Sequence, residues 1–144
     1  MRALCCFTAT LLFATPAAHA VNWFGLEALS KASNLEIDVD TDSLRQSGTR
    51  REIRVRVTYP ETRLHRWGAS FRSVAATVEF ECEGRLAGYR DAVFYAEPAG
   101  RGLVMAKEDG PLAPIPDRTA DLLPSKSVEQ LVRAACAQPK PAAR

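Results

Sequence analysis

Only two of the four cysteines in this 144-residue chain, Cys82 and Cys136, lie beyond the first twenty residues. Two thiols allow a single intramolecular pairing, and a disulfide between them would tie the middle of the chain to its end. The alternatives are a free or intermolecular thiol and a metal site. However, the spacing fits no zinc motif, and His65 is the one imidazole that remains beyond residue 20. The two cysteines therefore predict a small domain closed by one disulfide, with no metal.

The first twenty residues have the organisation of an export signal. Arg2 provides a positive start, residues 3–16 form a short and mostly apolar run, and Ala18 and Ala20 occupy the positions that a signal peptidase reads. The run is shorter than the roughly 20 apolar residues of a spanning helix, and no later stretch qualifies. We therefore expect a signal peptide over 1–20, no transmembrane segment, and a protein that is periplasmic, surface-exposed or secreted. A core helix at the N-terminus is the alternative.

The overall charge is nearly balanced. The chain has 19 lysines and arginines against 17 aspartates and glutamates. A nucleic-acid-binding domain usually carries a marked basic excess, which this chain lacks. We therefore expect no nucleic-acid partner.

The apolar periodicity predicts several β-strands. Residues 35–40 alternate strictly between apolar and acidic positions, and residues 51–59 alternate again between apolar and polar positions, which is typical of half-buried strands. The outward acidic residues of the first would attract the outward basic residues of the second across an antiparallel pair. Pro60 is expected to end the second strand. Three more strands are predicted at 73–82, 89–95 and 103–106, with connections at 41–48, 61–71 and 108–124.

Two further features concern the ends of the domain. In residues 125–136 the apolar period changes to that of a helix, which Ser125 or Ser127 can cap. Its apolar stripe consists of Val128, Leu131, Val132, Ala135 and Cys136. Cys82 lies on the apolar face of its strand, so both cysteines are expected at the interface between sheet and helix. The pattern predicts one α+β domain over 21–137, anchored at its start by Trp23 and Phe24, and a disordered tail over 138–144.

Two groups of residues were considered as catalytic or metal sites. His65 lies in a predicted connection with nothing that places a nucleophile or carboxylate beside it, so we interpret it as a solvated loop histidine. Asp38, Asp40 and Asp42 alternate as in a calcium loop, but the glycine and the closing glutamate are out of place. We therefore expect no catalytic residue, no metal site, no cofactor and no enzymatic activity.

A series of short motifs in this order is similar to a known family. The motifs are Trp23, an Ile37-Asp38 strand, a Ser43-Leu44 turn, an Arg-Val-Arg-Val strand, Arg72-Ser73, Glu81-Cys82, a glycine turn, a proline-rich segment and a helix that ends at Cys136. From Trp23 to Cys136 the chain resembles the surface-adhesin protein E-like family of exported Gram-negative proteins. The resemblance implies a twisted antiparallel sheet of about five strands, with the C-terminal helix packed on one face and tied by the Cys82–Cys136 bridge.

The resemblance also implies binding to host matrix or serum proteins. Arg54 and Arg56 point outward and are the candidate ligand-binding residues for an acidic partner; the alternative is that they pair with Glu36 and Asp38 across the strands. The predicted strand at 103–106 is a second candidate, because an edge strand can accept an extended segment of a partner. The competing functions are an accessory role with another envelope protein, and a small hydrolase or hydrolase inhibitor.

Overall fold

The computed structural model describes residues 21–114 and 122–137, so the expected signal peptide and tail lie outside the described residues. Six antiparallel strands form one sheet, in which each strand pairs with the next one along the chain. The elements are β1 (Trp23–Gly25), α1 (Glu27–Ser33), β2 (Glu36–Ser47), β3 (Arg50–Leu64), β4 (Ser70–Glu81), β5 (Leu86–Glu97), a short 3₁₀ turn (Pro98–Gly100), β6 (Arg101–Pro114) and α2 (Ser125–Cys136). The predicted α+β class is confirmed, and the strand beyond the expected five is the three-residue β1.

The sheet has one apolar face because its strands alternate. Ile37 and Val39 of β2 lie opposite Val57 and Val55 of β3, and all four side chains are buried. β4 and β5 continue this face with further buried side chains. Those of β4 and β5 are Phe71, Val74, Ala76, Val78, Phe80, Ala87, Tyr89, Ala92 and Phe94.

Both helices pack near the β2–β4 part of the sheet. α1 contacts β2, and α2 contacts α1 and β4. Val128, Leu131 and Val132 are buried, which confirms the predicted stripe. The prediction of a serine cap is wrong, because Pro124 occupies the N-cap position and Ser127 is itself buried in the first turn. In the described part of the chain, neither helix has the length and apolar character needed to cross a membrane.

The predicted disulfide is present. Cys82 follows β4 directly and bonds to Cys136, the last residue of α2, with 5.7 Å between the two Cα atoms. The bridge closes a separation of 54 residues and ties the end of the helix to the end of the strand. The free-thiol and metal alternatives for these two cysteines are therefore excluded.

Several strands are longer than the sequence pattern predicted. Residues 41–48 were expected to be a turn, but β2 continues to Ser47 with a register irregularity between Asp40 and Arg45. Likewise β3 does not end at Pro60 but continues to Leu64. The last pairing of β3 with β2 is at Thr58, so the missing N–H of Pro60 lies beyond that ladder and costs no hydrogen bond in it.

The aromatic pair at the start of the domain does not anchor it in the core. Phe24 is 61% exposed, and Trp23 is only half-buried. The guanidinium of Arg56 lies 4.6 Å from the centre of the Trp23 ring, on the polar face of the sheet. The expectation for these two residues was wrong because β1 runs along the sheet edge rather than over its apolar face.

Candidate binding surface

β6 is an edge strand that exposes apolar side chains. It is the last strand in the sheet order and pairs only with β5 among the described strands. Leu103 is 76% exposed, Val104 is also exposed, and Met105 lies at the margin of exposure. An edge strand with apolar side chains can pair with another chain, and many proteins avoid this with charges or prolines along the edge. Here the exposed apolar run lies between Arg101 and Lys107, so its centre carries no charge.

The turn before β6 is held firmly against the polar face of the sheet. The Ser73 hydroxyl donates to the Glu97 carbonyl at 2.5 Å and accepts from the Gly100 N–H at 2.9 Å. The Ala99 N–H donates to the Thr58 hydroxyl at 3.1 Å. Ser73 is fully buried, so its hydroxyl acts as an internal clamp. These bonds fix where the β5–β6 hairpin begins.

The two arginines of β3 have different surroundings. Arg56 lies opposite Asp38 and forms two hydrogen bonds with its carboxylate, at 2.7 and 3.0 Å, and a third bond to the Ala99 carbonyl. Arg54 lies opposite Asp40 and is exposed. Cross-strand pairing was the alternative for both residues, and it holds for Arg56 with Asp38; the other proposed acidic partner, Glu36, faces Thr58. Arg56 is thus part of the scaffold.

His65 is buried, so its interpretation as a solvated loop histidine is wrong. It is 6% exposed, and its ring packs edge-on against Phe94 and Phe71, with ring centres 4.7 and 6.3 Å away. The end of the β3–β4 hairpin therefore folds over the part of the apolar face formed by β5. The only indication of burial in the sequence was the aromatic content of residues 65–71. Such content is equally compatible with a solvated loop.

A buried carboxylate joins His65 to the edge strand. Glu108 of β6 accepts from the Tyr89 hydroxyl at 2.7 Å, and its other oxygen lies 3.2 Å from His65 Nε2 and 2.7 Å from the Arg66 guanidinium. His65 Nδ1 accepts from the Trp67 N–H at 3.3 Å, so in the neutral ring the proton resides on Nε2, the nitrogen that faces Glu108. Both ring nitrogens have internal partners, and the histidine cross-links the hairpin to β6.

The remaining acidic residues form no metal cluster in the part of the chain described. Within residues 21–114 and 122–137, no group of three or more metal-ligating side chains comes together. Asp38 is bound by Arg56, and Asp40 accepts from the Asp42 N–H at 3.2 Å. These contacts account for two of the three aspartates that alternate in β2.

One carboxylate has a perturbed proton affinity. The Thr49 side chain, and after it the Gly84 N–H, donate to the Glu81 carboxylate and lower the pKa of that group below its usual range. Glu81 is partly exposed and precedes Cys82, so these bonds organise the turn beside the disulfide.

Comparisons with known proteins identify the family of this chain. The sequence profile of the surface-adhesin protein E family matches residues 23–137, which include all six strands, both helices and the disulfide. The chain belongs to the surface-adhesin protein E family. The family resemblance of the sequence motifs is thereby confirmed, and the protein is adhesin-like. A search of curated proteins gives no significant match.

Solved structures of protein E from Haemophilus influenzae are similar to the chain. A selenomethionine form is 17% identical with a TM-score of 0.48, and the match covers 88% of this chain and 94% of that one. A second crystal form gives the same identity and TM-score over 89% and 97% of the two chains. Protein E from a non-typeable strain is 16% identical with a TM-score of 0.40; the match covers 86% of this chain and 96% of that one.

Proposed function

We propose that this protein is an exported, non-catalytic adhesin that binds host matrix or serum proteins. The observation that carries the proposal is the family match over residues 23–137, which includes every described strand and helix. The buried environment of His65 supports the non-catalytic part, because both ring nitrogens are already engaged.

In this proposal the ligand contacts the β6 edge at residues 103–106. An extended segment of a host protein would add to the sheet beside β6, where main-chain hydrogen bonds give affinity and side-chain contacts give selectivity. The exposed Leu103 and Val104 supply apolar area for such a contact. The clamp around Ser73 supports a rigid edge, which lowers the entropy cost of binding.

Arg54 is proposed as a separate contact for an acidic partner. Its side chain is exposed, whereas Arg56 is held by Asp38 and stacks on Trp23. Arg54→Ala should weaken binding to an acidic ligand with a reduced salt dependence, because an exposed charge acts mainly through screened attraction. Binding that is unchanged in Arg54→Ala and in Arg56→Ala would remove both arginines from the ligand site.

The test is binding of the purified protein to immobilised host proteins. Fibronectin, collagen and serum albumin are suitable first probes, measured by biolayer interferometry. Leu103→Lys places a charge on the β6 edge, and Phe24→Lys places the same charge on the opposite edge as a matched control. We expect Leu103→Lys to reduce affinity about tenfold and the control to bind normally. Equal binding by both variants would contradict the role of β6.

Localisation separates the adhesin from an accessory role with another envelope protein. Intact producing cells are treated with protease, and the periplasmic, membrane and medium fractions are then blotted. We expect protein at the surface or in the medium, where host proteins are accessible. Protein confined to the periplasm would contradict the adhesin function and favour the envelope partner.

A further inference from the structure

The end of the β3–β4 hairpin presents a second surface that the proposed function does not use. We define the hairpin tip as residues 63–67. Its strand pairs, Arg63 with Phe71 and Leu64 with Ser70, lie past the last pair of β3 with β2 at Thr58 and of β4 with β5 at Ser73. The tip therefore has no ladder pair with β2 or β5 in the described sheet, and it folds over the apolar face so that His65 reaches Phe94 of β5.

The tip exposes two large apolar side chains between basic ones. Leu64 is 71% exposed and Trp67 is 64% exposed. The guanidinium of Arg66 lies 5.0 Å from the centre of the Trp67 ring, and that of Arg63 lies 4.9 Å from the Tyr59 ring. Leu64 and Trp67 each follow an arginine in the chain, so the tip combines exposed apolar area with positive charge.

The tip is rigid although its side chains are exposed. The buried His65 points inward from its middle and is fixed by Glu108. The His65 N–H donates to the Ala69 carbonyl at 2.7 Å, and the Gly68 N–H donates to the His65 carbonyl at 2.8 Å. Gly68 has a φ of +82°, which a glycine adopts without strain. These two backbone hydrogen bonds hold the turn in one conformation, so the exposed side chains of the tip are presented from a fixed backbone.

The charge at the tip is positive. Residues 61–72 contain Arg63, Arg66 and Arg72 against Glu61. The nearest carboxylate from another strand is Glu108, whose side chain is 4% exposed and contacts Arg66, His65 and Tyr89. Because Glu108 pairs directly with Arg66, three arginines stand against two carboxylates, and the tip keeps one net positive charge, with Arg63 outside any described ion pair.

We propose that the hairpin tip binds a lipid surface with anionic headgroups. Trp67 and Leu64 enter the interfacial region, where the tryptophan ring combines apolar area with a polar N–H. Arg63 and Arg66 stay at headgroup level, with their aliphatic stems along the apolar surface. This contact goes beyond the proposed function, since it uses a different part of the molecule from β6 and a different class of partner.

Sedimentation with vesicles tests the proposal. Purified protein is mixed with vesicles of phosphatidylcholine and phosphatidylglycerol, or of phosphatidylcholine alone. We expect binding to the anionic vesicles that weakens with salt. Trp67→Ser should lower the partition coefficient about tenfold through lost apolar burial. Arg63→Gln should lower it about fivefold through the lost attraction to the anionic surface.

Matched controls separate this contact from unspecific adsorption. Phe24→Ser removes an aromatic side chain of similar exposure at the β1 edge, and Arg133→Gln removes an exposed arginine on α2. Both controls should bind like the unmodified protein. Far-UV circular dichroism and urea unfolding verify that each variant is folded. Equal binding by the tip variants and the controls would overturn the proposal.

Fluorescence locates the contact directly. The chain has two tryptophans, so Trp23→Phe leaves Trp67 as the single reporter. We expect its emission to shift to shorter wavelength with anionic vesicles and to be quenched by brominated lipid. Unchanged emission while the protein sediments would overturn the proposal. So would tip variants that bind vesicles normally but lose a host protein, because the tip would then be a protein-binding site.

Discussion

At the scale of single residues, the most consequential group is the buried Glu108 carboxylate. It holds the hairpin tip through His65 and Arg66, and its own strand neighbour through Tyr89. A hydrogen bond to a charged group contributes more to stability than a neutral one, and its loss inside the protein is not compensated by water. This residue therefore couples the edge strand to the β3–β4 hairpin.

We expect Glu108→Ala to lower the free energy of unfolding by about 2 kcal/mol. Glu108→Gln should cost less, because the amide oxygen still accepts from the Tyr89 hydroxyl. Glu27→Ala is the control: its exposed pairing with Lys31 contributes little. Urea unfolding measures all three, and a Glu108→Ala variant as stable as the control would show that the buried network is not stabilising.

Glu81 gives a pH-dependent prediction. Because the Thr49 side chain lowers its pKa, the folded state favours the ionised carboxylate. The resulting stabilisation is present above the pKa of the unfolded chain and is lost as the pH falls through the lowered pKa of the folded state. In Thr49→Val the Glu81 pKa should rise toward its usual value. An NMR titration of the Glu81 side chain tests this, with Ser47→Ala as a control in the preceding strand.

The residue scale also shows where sequence interpretation is limited. Alternation correctly placed Ile37, Val39, Val55 and Val57 in the core, because a period of two reports which face is buried. It gave no indication for His65, whose burial depends on the hairpin folding back toward β5 and β6. That contact joins residues 43 positions apart through Glu108, and no local pattern encodes it.

At the scale of elements, the ends of the strands were harder to predict than their existence. Proline was expected to stop β3, but Pro60 lies where β3 has lost its β2 neighbour. β6 was expected to have four residues and has fourteen, although it contains Pro111. A proline is compatible with an edge strand, because one side of that strand has no ladder. The predicted strand at 103–106 was already treated as an edge strand, but its four apolar residues do not indicate how far the strand extends.

The disulfide that joins α2 to the end of β4 is expected to stabilise the fold. With a separation of 54 residues, the bridge should stabilise the fold by about 4 kcal/mol on the chain-entropy estimate. Cys136→Ser should therefore lower the melting temperature and the yield of exported protein. The double variant Cys82→Ser/Cys136→Ser, and the unmodified protein under reductant, should unfold at a temperature similar to that of Cys136→Ser. A Cys136→Ser variant with an unchanged melting temperature would contradict a stabilising role.

At the scale of the whole molecule, the residues that stabilise the sheet lie on its covered face, and the surfaces proposed to bind partners lie at its margins. The helices and the folded-back hairpin cover its apolar face, and the disulfide holds α2 in place. The β6 edge and the hairpin tip carry the most exposed apolar side chains, Leu103 and Leu64. Because each surface is attached to the buried core by hydrogen bonds, a substitution there should change binding more than stability.

The last prediction concerns export, because contact with host proteins requires that the chain leaves the cytoplasm. Residues 1–20 should be removed so that the mature chain begins at Val21, two residues before β1. Intact mass should equal that of residues 21–144 less the hydrogens lost when Cys82 and Cys136 are oxidised. Ala20→Leu, which puts a large side chain where the peptidase reads, should leave the leader attached, whereas Ala17→Leu should be processed normally. Two outcomes would contradict cleavage of a signal peptide after Ala20. One is a secreted chain that retains residues 1–20, and the other is an N-terminus within β1. The protein would then need another route to the partners proposed for it.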